Sequence, residues 1–96
     1  MRLNQYEINS IKKCFQTTFQ TGMIYLFGSR VDDTKKGGDI DLYIVTQDSD
    51  KVRKKINFLT QLKNLIGEQK IDVVLSYDKT TPIEKEAIKY GVKLWT

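Results

Sequence analysis

Two aspartates stand two residues apart inside an otherwise apolar run, Gly38-Asp39-Ile40-Asp41-Leu42-Tyr43-Ile44-Val45. Such alternation demands a strand. Side chains change faces at every residue, about 3.3 Å per step, so Ile40, Leu42 and Ile44 face one way while both carboxylates face the other, roughly 6–7 Å apart. The chain must therefore build a sheet with one buried face and a second face that gathers negative charge. At an effective dielectric near 20, two charges so placed repel by roughly 2–3 kcal/mol, and partial removal from water adds to that cost. A divalent cation between them removes the penalty.

Asp72 supplies a third acid. It opens Ile71-Asp72-Val73-Val74-Leu75, a short run rich in β-branched residues that reads as a second strand. Three carboxylates on two strands form a hard oxygen donor set, suited to Mg²⁺ or Mn²⁺ rather than zinc. The sequence has no histidine, which removes the usual transition-metal ligand, and no lysine partner stands beside the acids in the local sequence. Each Asp taken singly would read as a polar strand end; three together point to a metal site.

Eleven positions before Asp39, the apolar run Met23-Ile24-Tyr25-Leu26-Phe27 ends at Gly28-Ser29. A strand that turns sharply there presents backbone N–H groups and a hydroxyl to an anion, and Gly lets a phosphate approach closely. Arg30 adds a candidate charge-assisted contact. Gly-Ser alone is an ordinary turn; its position one loop before the acids gives it meaning.

Gly28-Ser29-Arg30 followed by Asp39-Ile40-Asp41-Leu42 resembles the signature of the polymerase-β-like nucleotidyltransferase superfamily. The segment Pro82-Ile83-Glu84-Lys85-Glu86-Ala87-Ile88-Lys89-Tyr90-Gly91-Val92-Lys93-Leu94-Trp95 resembles the closing helix, Gly and short strand of its minimal nucleotidyltransferase (MNT) branch. The likeness covers about residues 22 to 95. It implies that Asp39 and Asp41 bind divalent ions, that Asp72 joins the catalytic metal and helps deprotonate the attacking hydroxyl, and that Gly28 with Ser29 holds the triphosphate of ATP. The resemblance further implies an antitoxin that acts beside a helical HEPN ribonuclease toxin and adds AMP to it; the rival expectation is a non-catalytic antitoxin that neutralises the toxin by binding. Larger relatives carry a second, helical domain, so a partner is expected to complete the site. The chain departs from the branch's usual pattern in the loop after Arg30, which reads Val31-Asp32-Asp33-Thr34-Lys35-Lys36-Gly37, and in Gly38, where Ser is frequent.

Composition fits one domain spanning residues 1–96. A chain of 96 residues buries a single modest core. One cysteine, Cys14, forms no internal disulfide and reads as a buried filler, and no apolar run approaches the roughly 20 residues of a membrane span. A cytoplasmic location is the default expectation. The net charge of +4 suits phosphate-bearing ligands. The densest basic run, Lys51 to Lys55, lacks interleaved aromatic residues, so direct nucleic-acid binding is not expected.

Periodicity predicts the order helix, strand, strand, helix, strand, helix, strand. Asn4 and Glu7 form a capping-box start, and Ile8, Ile11, Phe15 and Phe19 recur at helical spacing over residues 4–20, with Gly22 as the stop. Strands are expected near 23–28 and 39–46. A helix with Ile56, Leu59, Leu62 and Ile66 inward is expected over 50–66, ended by Gly67, then a strand at 70–77, a helix from Pro82 to Tyr90 stopped by Gly91, and a strand at 92–95. The expected fold is α/β (α+β), a small mixed sheet with helices packed on one face and the acids gathered at one exposed edge, the polymerase-β-like nucleotidyltransferase core.

Overall fold

Helix α1, Gln5–Thr18, begins at the capping box expected from the sequence: the Glu7 N–H donates to Asn4 Oδ1 at 2.8 Å and the Asn4 N–H donates to Glu7 Oε1 at 3.0 Å. The computed structural model describes residues 2–32, 34, 38–76 and 81–95. Residues 33 and 35–37 of the expected loop, and residue 77 of the expected third strand, lie outside the described residues. The chain leaves α1 at Phe19, whose backbone is already extended, three residues before the expected stop at Gly22.

The elements then follow in the expected order: β1 (Met23–Phe27), a single 3-10 turn (Gly28–Val31), β2 (Ile40–Val45), α2 (Lys51–Ile66), β3 (Ile71–Leu75), α3 (Pro82–Tyr90) and β4 (Val92–Trp95). The described strands form one four-stranded mixed sheet in the order β3-β2-β1-β4. β1 runs antiparallel to both β2 and β4, while β2 and β3, joined through α2, are parallel.

The strict alternation of β2 sorts the two faces. Ile40, Leu42 and Ile44 are buried with Ile11, Cys14, Phe15 and Phe19 of the α1 segment and Phe58 and Leu62 of α2. Truncation of a side chain such as Phe58 to Ala in this core would cost about 3–5 kcal/mol. Cys14 is buried, as expected of a filler, and burial pushes its thiol pKa up. Ile56 does not face inward. It is largely exposed while Phe58 takes the core position, because two helical residues differ by about 200° of rotation and the buried stripe follows Phe58 and Leu62 at i, i+4.

The layer of helices expected on one face is made by α1 and α2. The short α3 lies against the other face, where Ala87 packs with Phe27, Tyr43 and Val45. No helix among the described residues is long and apolar enough to cross a membrane.

Candidate active site

The three acids lie at one end of the sheet because β2 and β3 start together. In the parallel ladder Asp41 is the register partner of Asp72, and in the antiparallel ladder it is also opposite Phe27, the last residue of β1. Residues paired across strands project from the same face, as do residues two apart along one strand, so Asp39, Asp41 and Asp72 share the face that carries α3.

The Gly28 turn touches this cluster. Gly28 has φ +76°, a conformation that side-chain-bearing residues avoid, and a Cβ placed on it would run into Asp41 Oδ2. A Cβ on Gly38 would likewise strike Ser29 Oγ. Two glycines thus bring the turn's backbone, the Ser29 hydroxyl and the acidic strand into one compact corner. Arg2, which sequence reasoning did not single out, holds the turn from behind: its Nη2 donates to the Ser29 carbonyl at 2.9 Å and its Nε to the Asp32 carbonyl at 3.0 Å. Arg30, expected at a phosphate, donates to the carbonyls of Arg2 at 3.0 Å and Gly38 at 3.3 Å, and to Gln69 Oε1 at 3.4 Å. It braces the corner in this structure.

Electrostatics mark Asp41 as the centre of the cluster. Burial pushes its carboxyl pKa up, and the charges of Asp72, Asp39 and Glu86 push it further, against a smaller opposing pull from Lys70. Asp39 does have a lysine partner. Lys70 Nζ lies 3.4 Å from Asp39 Oδ2, because the register that pairs Ile40 with Ile71 sets the residue before each strand side by side. All candidate donors are carboxylate oxygens, a chemistry that suits a hard divalent ion, and the mutual repulsion around Asp41 is what such an ion would offset. Among the described residues, however, no three acidic groups converge closely enough to enclose an ion as they stand.

A cleft of about 520 Å³ opens beside this corner, lined by Gly28, Ser29, Val31, Asp32, Glu86 and Tyr90. A larger opening of about 720 Å³ lies at the start of α2, lined by Asp48, Asp50, Lys51, Val52, Arg53 and Ile56. It holds neither Gly28 nor Ser29, the turn that abuts Asp41, so chemistry and not size selects the first cleft. Glu86 and Tyr90 enter from α3. That helix starts at Thr81, whose hydroxyl accepts the Glu84 N–H at 3.4 Å and donates to Glu84 Oε1 at 2.8 Å. Glu84 Oε2 in turn accepts the Tyr43 hydroxyl at 2.8 Å. Thr81-Pro82-Ile83-Glu84 carries the capping-box pattern, a signal that would have identified Glu84 as a cap. Nothing in the local sequence announces Lys70 or Glu86 as neighbours of the acids, or Tyr90 as part of the cleft.

Residues 9–96 match the polymerase beta nucleotidyltransferase family. No curated protein matches the chain in sequence. Two solved structures are similar in fold. One is a chain of the tri-AMPylated Shewanella oneidensis HEPN toxin in complex with MNT antitoxin, with a TM-score of 0.73 and 22% identity over 97% of this chain and 72% of that one. The other is a chain of a mutant toxin-antitoxin complex, MntA-HpeT, with a TM-score of 0.76 and 21% identity over 97% of this chain and 73% of that one.

Proposed function

We propose, because the chain belongs to the polymerase beta nucleotidyltransferase family, that it moves a nucleoside monophosphate, AMP from ATP, onto an acceptor hydroxyl. The observation that carries this reading is the contact between the Gly28 turn and the Asp41 carboxylate. A surface open to anions and a surface open to cations meet edge to edge, and a metal-bound triphosphate needs both.

Gly28 offers the triphosphate backbone N–H groups and close approach, and Ser29 offers a hydroxyl. Arg2 and Arg30 keep the turn in shape through the carbonyls they hold. Asp39, Asp41 and Asp72 would hold Mg²⁺ or Mn²⁺, which when bound supplies positive charge to the reacting phosphate and the departing pyrophosphate. Asp72, on the outermost strand, takes the acceptor side. As the acceptor oxygen bonds to the α-phosphorus, the bond from that phosphorus to the bridging oxygen breaks, pyrophosphate leaves, and the hydroxyl proton passes to Asp72.

The acceptor is a hydroxyl on a HEPN-type toxin, and the chain is its antitoxin in the cytoplasm. Support comes from the similar folds, which occur in toxin-antitoxin complexes, one of them with an AMPylated toxin. Incubated with its cognate toxin, ATP and Mg²⁺, the chain should leave the toxin heavier by AMP units in mass spectrometry. Asp72→Asn should stop the transfer while sparing ATP binding. Full neutralisation by the Asp39/Asp41/Asp72 triple Asn variant, with no AMP added by the unsubstituted chain, would replace the enzyme with an antitoxin that acts by binding alone.

A further inference from the structure

Tyr90 is 65% exposed, more than any other large apolar or aromatic side chain among the described residues. Burial therefore does not explain its presence. It ends α3 and lines the same cleft as Gly28 and Ser29. Its position is not left to chance. The buried Tyr43–Glu84 bond anchors the first turn of α3 to the sheet, and Gly91, directly after Tyr90, fits so closely that a Cβ there would strike the Ala87 carbonyl and lie 3.0 Å from the Leu26 carbonyl of β1. Both ends of the helix are thus fixed, and the ring is held at the end of the sheet where β1 passes into the Gly28 turn.

The cleft is graded along its length. Glu86, whose charge is felt by Asp41, lies toward the acids. Tyr90 lies one turn further along the same helix face, about 6 Å away by helical rise, and lines the cleft together with the half-buried Val31. Lys89 Nζ stands over the Tyr90 ring at 5.2 Å from its centroid, which limits where the ring can swing. An elongated ligand with its charged end on the turn and the acids could lay a flat, apolar group along the cleft against the Tyr90 ring.

From this we infer that Tyr90 is the stacking platform for the nucleobase of the donor nucleotide and so sets affinity for a nucleotide over a bare polyphosphate. The inference rests on the nucleotidyltransferase reading and names the subsite that reading leaves open. Base-on-aromatic stacking is tolerant of base identity, since every base has a π face, so Tyr90 would distinguish nucleotides from polyphosphates more than one base from another.

Calorimetric titration of the whole chain with ATP and with inorganic tripolyphosphate, both with Mg²⁺, tests this. Tyr90→Ala should weaken ATP binding roughly five- to hundredfold and leave tripolyphosphate binding within about twofold, and Tyr90→Phe should keep ATP affinity near that of the unsubstituted chain because the ring remains. Unchanged ATP affinity in Tyr90→Ala, or equal losses for ATP and tripolyphosphate, would overturn the stacking role while the nucleotidyltransferase reading stands. If the unsubstituted chain binds neither probe, the site itself is misread and the stacking role falls with it.

Discussion

The Tyr43 hydroxyl donates to Glu84 Oε2 at 2.8 Å, between side chains that are 0% and 1% exposed and 41 positions apart. It is a polar bond in the layer between sheet and α3, where a lost partner is costly. Tyr43→Phe removes the donor and should lower unfolding free energy by about 1–3 kcal/mol in urea titration. The same variant should weaken ATP binding, because α3 carries Glu86 and Tyr90 into the cleft. Full stability in Tyr43→Phe would show that apolar packing alone seats the helix.

Mg²⁺ at millimolar concentration should raise the Tm of the unsubstituted chain, since an ion that binds only the folded form stabilises it. Asp41→Asn should abolish that rise. In ion-free buffer it should leave Tm unchanged or slightly higher, because it removes the charge that burial, Asp72, Asp39 and Glu86 all disfavour. A drop in ion-free Tm would contradict the like-charge reading of the cluster.

The sign of the pH dependence follows from the same carboxyl. Asp41 holds its proton to higher pH when folded than when unfolded, so its contribution to ion-free stability is present below the unfolded value and is lost as pH rises through the raised folded value. Ion binding requires the deprotonated form. The Mg²⁺-induced Tm shift should therefore grow as pH rises across this window, and a shift that shrinks with pH would exclude Asp41 from the ion site.

Asp48 has the opposite slope. Burial pushes its carboxyl pKa up, but the Gln20 N–H at 2.7 Å, the Thr21 hydroxyl at 2.9 Å and the Lys54 ammonium at 3.1 Å together bring it down to about 2. Its stabilisation is fully present above the unfolded value near 4 and is lost as pH falls toward 2. Asp48→Asn should cost roughly 1–2 kcal/mol at neutral pH and should flatten the acid limb of a stability-versus-pH curve.

Gly28→Val tests the turn. The added side chain would meet the Asp41 carboxylate and strain a backbone at φ +76°, so it should impair ATP binding more than Ser29→Ala, which removes one hydrogen bond to a charged group, worth roughly 1.5–3 kcal/mol. ATP affinity equal to that of the unsubstituted chain in Gly28→Val would take the phosphate role away from this turn.

Much of this architecture was legible in the chain because it is written in short-range signals. The Asn4–Glu7 box, Pro82 at the start of α3, Gly67 after α2 and the two-residue alternation of β2 each act over a few positions, and the element boundaries they mark fall within two residues of them. What escaped depends on pairing between distant segments. Lys70 becomes the neighbour of Asp39 only through the parallel register of β2 and β3. The spacing of Ile56 from Leu59 fits an inward helix face, but packing in the core selects the stripe through Phe58 and leaves Ile56 exposed. Glu86 and Tyr90 reach the cleft only because α3 crosses to the second face of the sheet, and Arg30 lost its expected freedom to carbonyls contributed by residues 2 and 38.

The corner at the end of β1 draws on four stretches of chain: residues 28–30, the start of β2, the start of β3 and the last turns of α3. Residues 28–30 and the start of β2 belong with the antiparallel β1–β2 pair, but Asp72 joins them only through the parallel β2–β3 ladder and Glu86 and Tyr90 only through α3, so the complete corner requires the whole sheet. Loss of nucleotide binding and loss of the sheet should coincide in a denaturant titration, as one cooperative transition. Amide protons in β1 and β2 should then exchange only as slowly as global unfolding permits, and a cell that destabilises this chain would silence its site by the same event that exposes it to proteolysis.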